Sequence, residues 1–403
     1  MDVRSPKLKV ALVASSDPRS AAGFSGTLNS MYRALSARFD LHPVHVGPLL
    51  KLANKLGGAH RRMTGRSANY YFHPVFSRLA GRWVEARLRR LAPDVVVNVA
   101  ASSVTAHVRT DRPVIYCTDG TFRALARLYP GWRNLPQWNS ANGEEAEQVA
   151  LDQAAAVVMS SDWARQSAVE DYRVDAGKIS VLPYGPNLRD DLLPAAELPP
   201  PGDPAQELHL LYTGMDWLRK GGNFAFAVAA ALNAAGRKTH LHIVGRMPSD
   251  IGAPDFVTYH GLINKDEAGG PERMAALYRQ AHMFILPTIA DATPVVFSEA
   301  AAFSLPSITF DVGGVSSAVR DGESGLVLRP DTDAETVARL IDGIVTDPAR
   351  FAALRRSTFA WSQEVANWQS WAASISTLAG RALLGEGAAK VSHAGDLAYA
   401  PKG

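Results

Sequence analysis

The sequence predicts an α/β protein built from two doubly wound domains, each with a parallel sheet. Short apolar runs alternate with helical segments along the 403 residues, an order typical of parallel sheets covered by helices. A chain of this length exceeds one ordinary hydrophobic core. The proline-rich stretch LLPAAELPPPGDPAQ (192–206) interrupts the alternation, which then starts again. We therefore predict a linker over residues 196–206 between two domains.

The first domain, residues 1–195, is expected to contain five strands, each followed by turn residues and a helical segment. The segment TLNSMYRALSARF (27–39), for example, places Leu28, Met31 and Leu35 on one helix face at spacings of three and four. The predicted strands are KVALVA (9–14), DVVVNVA (94–100), PVIYC (113–117), AAVVMS (155–160) and ISVLPY (179–184).

The second domain, residues 207–358, repeats the pattern with six predicted strands. Between the first two, NFAFAVAAALNAAG (223–236) predicts a helix with Asn223 as its N-cap and Gly236 as its stop. A tryptophan-bearing helix over 359–385 is expected to pack over a surface already formed, and residues 386–403 are expected to be disordered. The six strands are LHLLYTG (208–214), HLHIVG (240–245), VTYHG (257–261), MFILP (283–287), PSITF (306–310) and GLVLRP (325–330).

Composition excludes several classes of protein. The single cysteine, Cys117, rules out an internal disulfide framework and a cysteine-based zinc site. No apolar run reaches the ~18 residues that span a bilayer, and the apolar N-terminal stretch is too short for a secretory signal. No histidine pair has metal-ligand spacing on a helix. We therefore expect a cytoplasmic protein without a metal site.

Charge is distributed unevenly. Residues 1–195 hold 25 Lys+Arg against 17 Asp+Glu, whereas the remainder holds 17 against 22. The excess of basic residues in the first part is concentrated in two segments, HRRMTGR (60–66) and RWVEARLRR (82–90). Two explanations stay open: peripheral contact with anionic lipid or a phosphate-bearing acceptor, or simply a solvated helix face. Basic residues are not interleaved with aromatics as in a nucleic-acid surface, so no nucleic-acid partner is expected.

Three glycine-containing loops follow predicted strands and are candidates for holding phosphate. Glycines allow close backbone approach, and N–H groups at a helix start favour an anion. None of the three has the pattern of a dinucleotide-binding or ATP-hydrolysing loop. The loops are SSDPRSAAGFSGTLNS (15–30) with Gly23 and Gly26, GMDWLRKGGN (214–223) with Arg219 and Lys220, and DVGGVSS (311–317) with Gly313 and Gly314.

An acid pair, Asp291 and Glu299, lies in TIADATPVVFSEAAAF (288–303). The sequence predicts a helix that begins here, with Thr293 as its N-cap and Pro294 at its first position. Asp291 would then lie on the loop that enters the helix, and Glu299 would lie inside the helix. Both acids would then face one cleft, with Glu299 available to ribose hydroxyls. The alternative is that Asp291 only sits near the positive end of the helix dipole and that Glu299 is solvated.

The order of these motifs resembles the retaining GT-B glycosyltransferases of the glycosyltransferase 4 family over nearly all of residues 7–385. That family has a basic loop, an E-x7-E motif and two glycine-containing segments in this order. The counterparts here are WLRKGG, DATPVVFSE, SLPSITFDVGG and DGESGLVL (321–328), preceded by SDWARQSAVEDYRVDAGKISVLPYGPN (161–187). The resemblance implies two Rossmann-like domains facing across a cleft.

The resemblance also implies roles for individual residues. Lys220, with Arg219, would neutralise the phosphates of a nucleotide-sugar donor, and Glu299 would bind the ribose. Asp291 and Asp119 would act at the transferred sugar or the acceptor hydroxyl. The remaining expected donor-binding positions are Gly313, Gly314, Val315, Gly26, Gly214 and Val295.

Three positions depart from the family pattern. Asp291 is one methylene shorter than the usual glutamate. Asp119, in VIYCTDGTF (114–122), stands where a histidine is common, and an ordinary turn acid before Gly120 is the alternative. Met215 replaces an arginine that usually follows the first strand of the second domain, so Arg219 is a candidate substitute.

The function that this resemblance implies is transfer of a sugar, with retention, from a nucleotide diphosphate to an acceptor hydroxyl of a glycan or lipid-linked glycan precursor. No metal or other cofactor is implied. Two rivals stay open: a sugar-nucleotide epimerase on the same fold, and a nucleotide-sugar-binding protein that has lost catalysis. Base recognition is expected around VGRMPSD (244–250) or HGLINKDE (260–267).

Overall fold

The computed structural model describes residues 7–20, 26–252 and 254–385. Within this part the chain divides into two compact units. Unit 1 comprises residues up to Pro183 together with those from Trp368 onward, and unit 2 comprises Tyr184–Asn367. Gly23 and the predicted tail at 386–403 lie outside the described residues.

Unit 1 contains a parallel sheet in the order β2-β1-β3-β4-β5-β6. Its central strand β3 is buried along its whole length, as its Val-rich sequence predicts. The strands are β1 (Lys9–Ala14), β2 (Asp40–His45), β3 (Val95–Val99), β4 (Val114–Thr118), β5 (Ala156–Met159) and β6 (Ile179–Val181). Sequence analysis missed β2, which contains Pro43 and lies at the sheet edge, where a missing N–H is tolerated.

Helices pack against this sheet. On α1 the residues Leu28, Met31 and Leu35 are buried, as their spacing predicts. The described helices of unit 1 are α1 (Thr27–Arg38), α2 (Gly47–Thr64), α3 (Pro74–Leu91), α4 (Ser102–Thr105), α5 (Phe122–Leu128), α6 (Pro130–Arg133), α7 (Gln137–Gln153), α8 (Asp162–Tyr172) and α15 (Trp368–Leu383), with short 3-10 turns at Tyr70–Phe72 and Ala176–Lys178.

Unit 2 contains a second parallel sheet in the order β12-β11-β10-β7-β8-β9. The predicted strands are all present, at slightly different bounds. They are β7 (Leu208–Gly214), β8 (Thr239–Gly245), β9 (Val257–Tyr259), β10 (Met283–Ile285), β11 (Ser307–Phe310) and β12 (Gly325–Leu328). The helices are α9 (Gly222–Ala234), α10 (Gly270–Gln280), α11 (Val296–Ala302), α12 (Val315–Ala318), α13 (Ala334–Val345) and α14 (Pro348–Glu364), with a 3-10 turn at Asp190–Leu192.

Two predicted helix starts are wrong. The N-cap of α9 is Gly221, and the Asn223 side chain instead accepts a hydrogen bond from Trp217 Nε1 at 2.6 Å. The N-cap of α11 is Val295, so Thr293 and Pro294 remain in the entering loop and Glu299 lies in the first turn. In each case a residue that favours the N-cap position is present, but the helix starts at a neighbouring residue.

The single helix expected over 359–385 is two helices. Residues 359–364 belong to α14 of unit 2, and α15 begins at Trp368 in unit 1. Trp371, Ile375 and Leu378 of α15 are buried, and the helix packs against α1 of the same unit. The predicted linker 196–206 lacks regular structure and lies inside unit 2, since that unit begins at Tyr184.

Candidate active site

The candidate site lies at the carboxyl edge of the unit 2 sheet. Strands β7 and β10 are neighbours there, but the chain leaves β7 toward β8 and β9 on one side and leaves β10 toward β11 and β12 on the other. Loops diverge at such a point and leave a crevice in which open α/β sheets bind ligands. Lys220 follows β7 and Asp291 follows β10, so the two predicted residues flank this crevice.

Lys220 and Asp291 form a close ion pair. The Lys220 ammonium lies 2.5 Å from Asp291 Oδ2, and the two side chains are only 15% and 9% exposed. Thr288 Oγ1 lies 3.2 Å from the same carboxylate oxygen. Because exclusion of water strengthens charge interactions, this pair fixes the direction of the ammonium group. The structure thus brings together two residues that are 71 positions apart in the sequence.

Arg219 adds a second cation to the pair. Its Nη1 donates to the Ala290 carbonyl at 2.8 Å and lies 3.5 Å from Asp291 Oδ2. Its Nε contacts Asp216 Oδ2 at 3.3 Å, and 28% of the side chain remains exposed. We call Arg219, Lys220 and Asp291 the cation cluster. The cluster has one net positive charge, which Asp216 at its rim offsets, and the partly exposed Arg219 guanidinium is the cation that an anionic ligand can meet.

Glycines bring the two loops close enough for this contact. Gly221 has φ +75°, and a Cβ at this position would lie 2.0 Å from the Pro287 carbonyl oxygen. A Cβ on Gly214 would lie 2.4 Å from the Tyr212 hydroxyl and 3.0 Å from Lys220 Cβ. Larger residues would therefore separate the β7 and β10 loops or displace Lys220.

The third glycine loop joins the same edge after β11. Gly313 has φ +54°, and the Gly314 N–H donates to the Asp291 main-chain carbonyl at 3.1 Å. Val315 is fully buried, whereas Val295 of the neighbouring loop is half-buried. The predicted donor-binding loop thus touches the backbone that carries Asp291.

Glu299 has a different environment from the predicted one. Its side chain is fully buried, and Lys265 Nζ lies 2.5 Å from Oε1 and 2.6 Å from Oε2. The buried Tyr278 hydroxyl donates to Oε2 at 2.9 Å, and burial together with the Glu299 charge raises the pKa of Tyr278. The alternative of a solvated Glu299 is wrong. Its predicted contact with ribose stays a prediction.

Two predicted residues lie in unit 1. Gly26 is the N-cap of α1 with φ +84°, on the loop that follows β1. Asp119 follows β4 and is half-buried. The buried Glu147 accepts a hydrogen bond from Tyr116 at 3.0 Å, and burial, with a contribution from Asp119, raises the pKa of Glu147 to about 7. Roles for Gly26 and Asp119 remain predictions.

Sequence analysis did not single out Lys265, Tyr278 or Thr288 as site residues. Lys265 was included only as part of HGLINKDE (260–267), a candidate for base recognition. In the part of the chain that the structure describes, no group of three or more acidic, histidine or cysteine side chains is arranged to hold a metal ion. None of the described helices has the length and apolar character needed to cross a membrane.

The two doubly wound sheets define a class of protein, that of the GT-B fold. A glycosyltransferase from Rickettsia africae ESF-5 has a TM-score of 0.65 to this chain at 15% identity, covering 94% of this chain and 99% of that one. HepE of Anabaena, solved with UDP and glucose, has a TM-score of 0.59 at 15% identity, covering 92% and 98%.

The match to a family model lies in the second unit. Residues 207–347 match the model of the Glycosyl transferases group 1 family. A D-inositol 3-phosphate glycosyltransferase of Arthrobacter sp. (strain FB24) is 27% identical over 248 residues, which cover 55% of this chain and 56% of that protein. The alignment thus spans about half the length of this relative. The predicted GT-B fold and the predicted similarity to glycosyltransferases are confirmed.

Proposed function

We propose that the protein is a glycosyltransferase that moves a sugar from a nucleotide diphosphate to an acceptor hydroxyl with retention of configuration. The observation that carries this proposal is the cation cluster at the divergence of the β7 and β10 loops. A nucleotide sugar brings a diphosphate, which becomes the leaving group in such a transfer. Lys220 and Arg219 place positive charge where that anion would develop.

Asp291 has a positioning role in this proposal. Its carboxylate holds the Lys220 ammonium at 2.5 Å and leaves part of Arg219 exposed. Cations fixed before the reaction need no reorganisation when charge develops on the leaving phosphate, and this lowers the barrier. We include in the proposal that the two side chains supply the charge that a metal ion supplies in other transferases, so that no cofactor is required.

The proposed reaction exchanges one bond at the sugar. The bond between the anomeric carbon and the phosphate oxygen breaks, and the acceptor oxygen bonds to the same carbon from the same face. The proton of the acceptor hydroxyl passes to the departing phosphate. The products are a glycosylated acceptor and a nucleoside diphosphate. Retention and this proton transfer are implied by the family resemblance.

The similar proteins support this donor class. HepE is described in complex with UDP and glucose, and the Arthrobacter relative is described as acting on D-inositol 3-phosphate. We propose a nucleotide-diphosphate sugar as donor, with Lys220 and Arg219 at the diphosphate and the Glu299 region at the nucleoside. The acceptor is proposed to be a glycan or lipid-linked precursor of a cell-envelope polymer.

A panel experiment tests the activity against both rivals. The protein is incubated with UDP-, GDP- and ADP-linked hexoses and with inositol phosphate or glycan acceptors. Release of nucleoside diphosphate together with a glycosylated product supports the transferase. An epimerised donor without a new glycoside supports the epimerase, and donor binding without turnover supports a protein that has lost catalysis. Either of the last two results contradicts the proposal.

We further propose that unit 1 contacts an anionic membrane from the cytoplasmic side. Helix α2 has 18 residues, of which only Ala53 is fully buried. Leu52, Leu56 and Met63 are 49%, 38% and 80% exposed. Their spacings of four and seven place them on one face of the helix.

Basic residues border this apolar stripe. Helical spacing puts Lys51, Lys55 and Arg62 on the adjacent face of α2. Between Asp40 and Glu85 the sequence contains seven Lys and Arg and no acidic residue. An apolar stripe beside a basic one is the arrangement with which surface helices bind anionic lipid.

Sedimentation with vesicles tests this contact. We expect the protein to bind vesicles that contain phosphatidylglycerol, to bind neutral phosphatidylcholine vesicles weakly, and to dissociate at high salt. Replacing Leu56 and Met63 with Asn and Gln should weaken the binding at least tenfold. Leu340→Asn is the matched control, because Leu340 is 40% exposed on α13 of unit 2. Equal loss in the control, or self-association in place of lipid binding, contradicts the proposal.

A further inference from the structure

Five histidines form one row across the sheet of unit 2. Neighbouring rings in this row have centroids between 4.9 and 5.9 Å apart. The row starts at the amino ends of β7 and β10, away from the carboxyl edge that holds the cation cluster, and crosses β8 to the end of β9. The members of this histidine row are His209, His240, His242, His260 and His282.

Three of these rings are joined by hydrogen bonds. His209 Nδ1 lies 3.1 Å from His242 Nε2, and His242 Nδ1 lies 3.2 Å from His260 Nε2. A neutral imidazole has one N–H donor and one acceptor nitrogen. Each of the two bonds requires one proton between its two nitrogens, and three neutral rings can supply it. The uncharged row is therefore fully bonded.

The number of protons that this chain of three rings can take up is limited. One added proton is accommodated, because a charged His242 donates from both nitrogens to two neutral neighbours. A second added proton places two N–H groups against each other in at least one of the bonds, whichever two rings carry the charges. The row can thus bind one proton and must lose a hydrogen bond to bind another.

The other two histidines differ in their response to protonation. His282 Nδ1 accepts a hydrogen bond from the His209 main-chain N–H at 2.9 Å, so this nitrogen carries no proton, and the ring is buried. His240 Nε2 lies 2.6 Å from Thr258 Oγ1. Because a hydroxyl can donate or accept, the contact of His240 is compatible with either form of the ring.

The surroundings of the row oppose positive charge. Burial, together with the neighbouring imidazoles, lowers the pKa of His242 to about 3. Burial likewise lowers the pKa of His282 to about 4, with a contribution from His209. The pKa values of His209 and His260 are also lowered, mainly by burial.

Formal charges near the row do not offset this effect. Two acids, Glu207 and Asp203, favour charged rings, whereas Lys238, Arg273 of α10 and Arg355 of α14 disfavour them. Glu207 is in addition paired with Lys238 at 2.9 Å. The hydrogen-bond limit and the local electrostatics therefore act in the same direction.

The junction between β8 and β9 is the weakest place along the row. Strand β9 has three residues and lies at the edge of the sheet, whereas β7 and β8 pair over seven residues. The bond between His242 and His260 spans this junction, and the His260 N–H donates to the Ile243 carbonyl at 2.9 Å. A short edge strand with few contacts opens at a lower free energy than the strands inside a sheet.

We infer that the histidine row is a pH-sensitive fastening of the β9 edge, which opens in weak acid when a second proton breaks the bond between His242 and His260. Strand β9 and the residues that follow it up to Ile263 then separate from β8, while the remainder of the sheet stays folded. The inference is independent of the proposed function, because it concerns the sheet and no ligand.

The direction of the pH dependence follows from where the protons bind. In the open form the rings titrate near the ordinary histidine value of about 6.5, whereas the closed row resists the second proton. Opening is therefore favoured as the pH falls below about 6.5 and disfavoured above it. For each histidine that is charged only in the open form, the opening constant should rise about 30-fold between pH 7.5 and pH 5.

Hydrogen exchange of the whole protein, followed by mass spectrometry at pH 7.5 and 5, tests the inference. The opening constant is the observed exchange rate divided by the intrinsic rate at the same pH. We expect it to rise at least 30-fold over residues 254–263. Strand β12 (Gly325–Leu328) is the matched control, because it is the opposite edge of the same sheet and contains no histidine. Its opening constant should change less than threefold.

Variants connect the acid response to the row. The double variant His242→Gln, His260→Gln should reduce the rise over residues 254–263 to below threefold, because glutamine can donate and accept but cannot take up a proton. If the double variant fails to fold, the single variant His260→Gln should lower the rise at least threefold. His42→Gln is the control variant, since His42 pairs with Asp40 at 3.1 Å on the edge strand β2 of unit 1. It should keep the full response.

The results that would overturn the inference are equally specific. An equal rise in β9 and β12 would mean that unit 2 opens as a whole in acid. An unchanged opening constant over residues 254–263 at pH 5 would mean that the closed row holds its protons without loss. A full acid response in the histidine variants would assign the opening to other groups.

Discussion

Replacement of Lys220 by methionine tests the cation cluster directly. Methionine retains most of the side-chain volume and removes the charge. Asp291 then keeps Thr288 at 3.2 Å and Arg219 at 3.5 Å, so its carboxylate is not left without partners. We therefore expect a folded variant that has lost one of the two cations facing the proposed diphosphate.

The expected loss follows from the charge and its surroundings. An ammonium about 4 Å from a phosphate charge contributes about 4 kcal/mol at an effective dielectric constant near 20. Asp291 already neutralises part of the Lys220 charge, and Arg219 remains in the variant. Loss of about 3 kcal/mol is thus expected, which lowers kcat/KM about 10²-fold.

The assay measures release of nucleoside diphosphate from the donor that the panel identifies. Lys238→Met serves as control, because Lys238 is a 70% exposed lysine in the same unit, paired with Glu207. We expect its kcat/KM to equal that of the wild type. A Lys220→Met protein that unfolds like the wild type and stays within threefold of its kcat/KM would show that the cluster does not stabilise the leaving group.

Three further predictions concern stability. Burial lowers the pKa of His282 from 6.5 to about 4, so below pH 6.5 the unfolded chain binds more protons than the folded protein. The free energy of unfolding should therefore fall by about 2 kcal/mol between pH 7.5 and pH 5 from this group alone, as measured by urea unfolding at the two pH values. A His282→Gln variant whose stability has the same pH dependence as the wild type would contradict this prediction. Gly236→Ala should lower the free energy of unfolding by about 1–2 kcal/mol, because Gly236 has φ +86° but open space around it. Gly221→Ala should lower it by at least ~2 kcal/mol more, because the new Cβ would also clash with the Pro287 carbonyl. Equal denaturation midpoints for the two variants would refute this prediction. Trp371 is fully buried, so Trp371→Ala should cost about 3–5 kcal/mol in a calorimetric scan, and a loss below about 1 kcal/mol would mean that α15 does not contribute to the core of unit 1.

Most of the fold could be predicted from local patterns. The predicted strands were found because runs such as VVVNV are apolar over a length typical of buried parallel strands. The edge strand Asp40–His45 was not predicted, because its sequence DLHPVH contains polar residues and a proline. It is a strand in the structure because it pairs with β1. The break between α14 and α15 was missed for a similar reason, because both segments are helical and only packing assigns them to different units.

The candidate site was predicted less completely. Lys220 and Asp291 were found because their motifs appear in a recognisable order, although nothing in either segment shows that they pair. The environment of Glu299 was not foreseen. Its partner Lys265 lies 34 residues away in a loop without a sharp motif. Side-chain pairing between loops leaves no periodic trace in a sequence.

The sequence by itself determined the class of fold, the repeated strand and helix order, and the loops in which charged residues and glycines fall. These properties depend on the polarity and flexibility of neighbouring residues, which can be read in order along the chain. The tertiary structure decided which charges meet and at which residue each helix begins. It also decided that Glu299 is buried while its partner Lys265 is partly exposed. Such outcomes depend on distances between segments far apart in the chain, and only the packing of the sheet and its loops sets those distances.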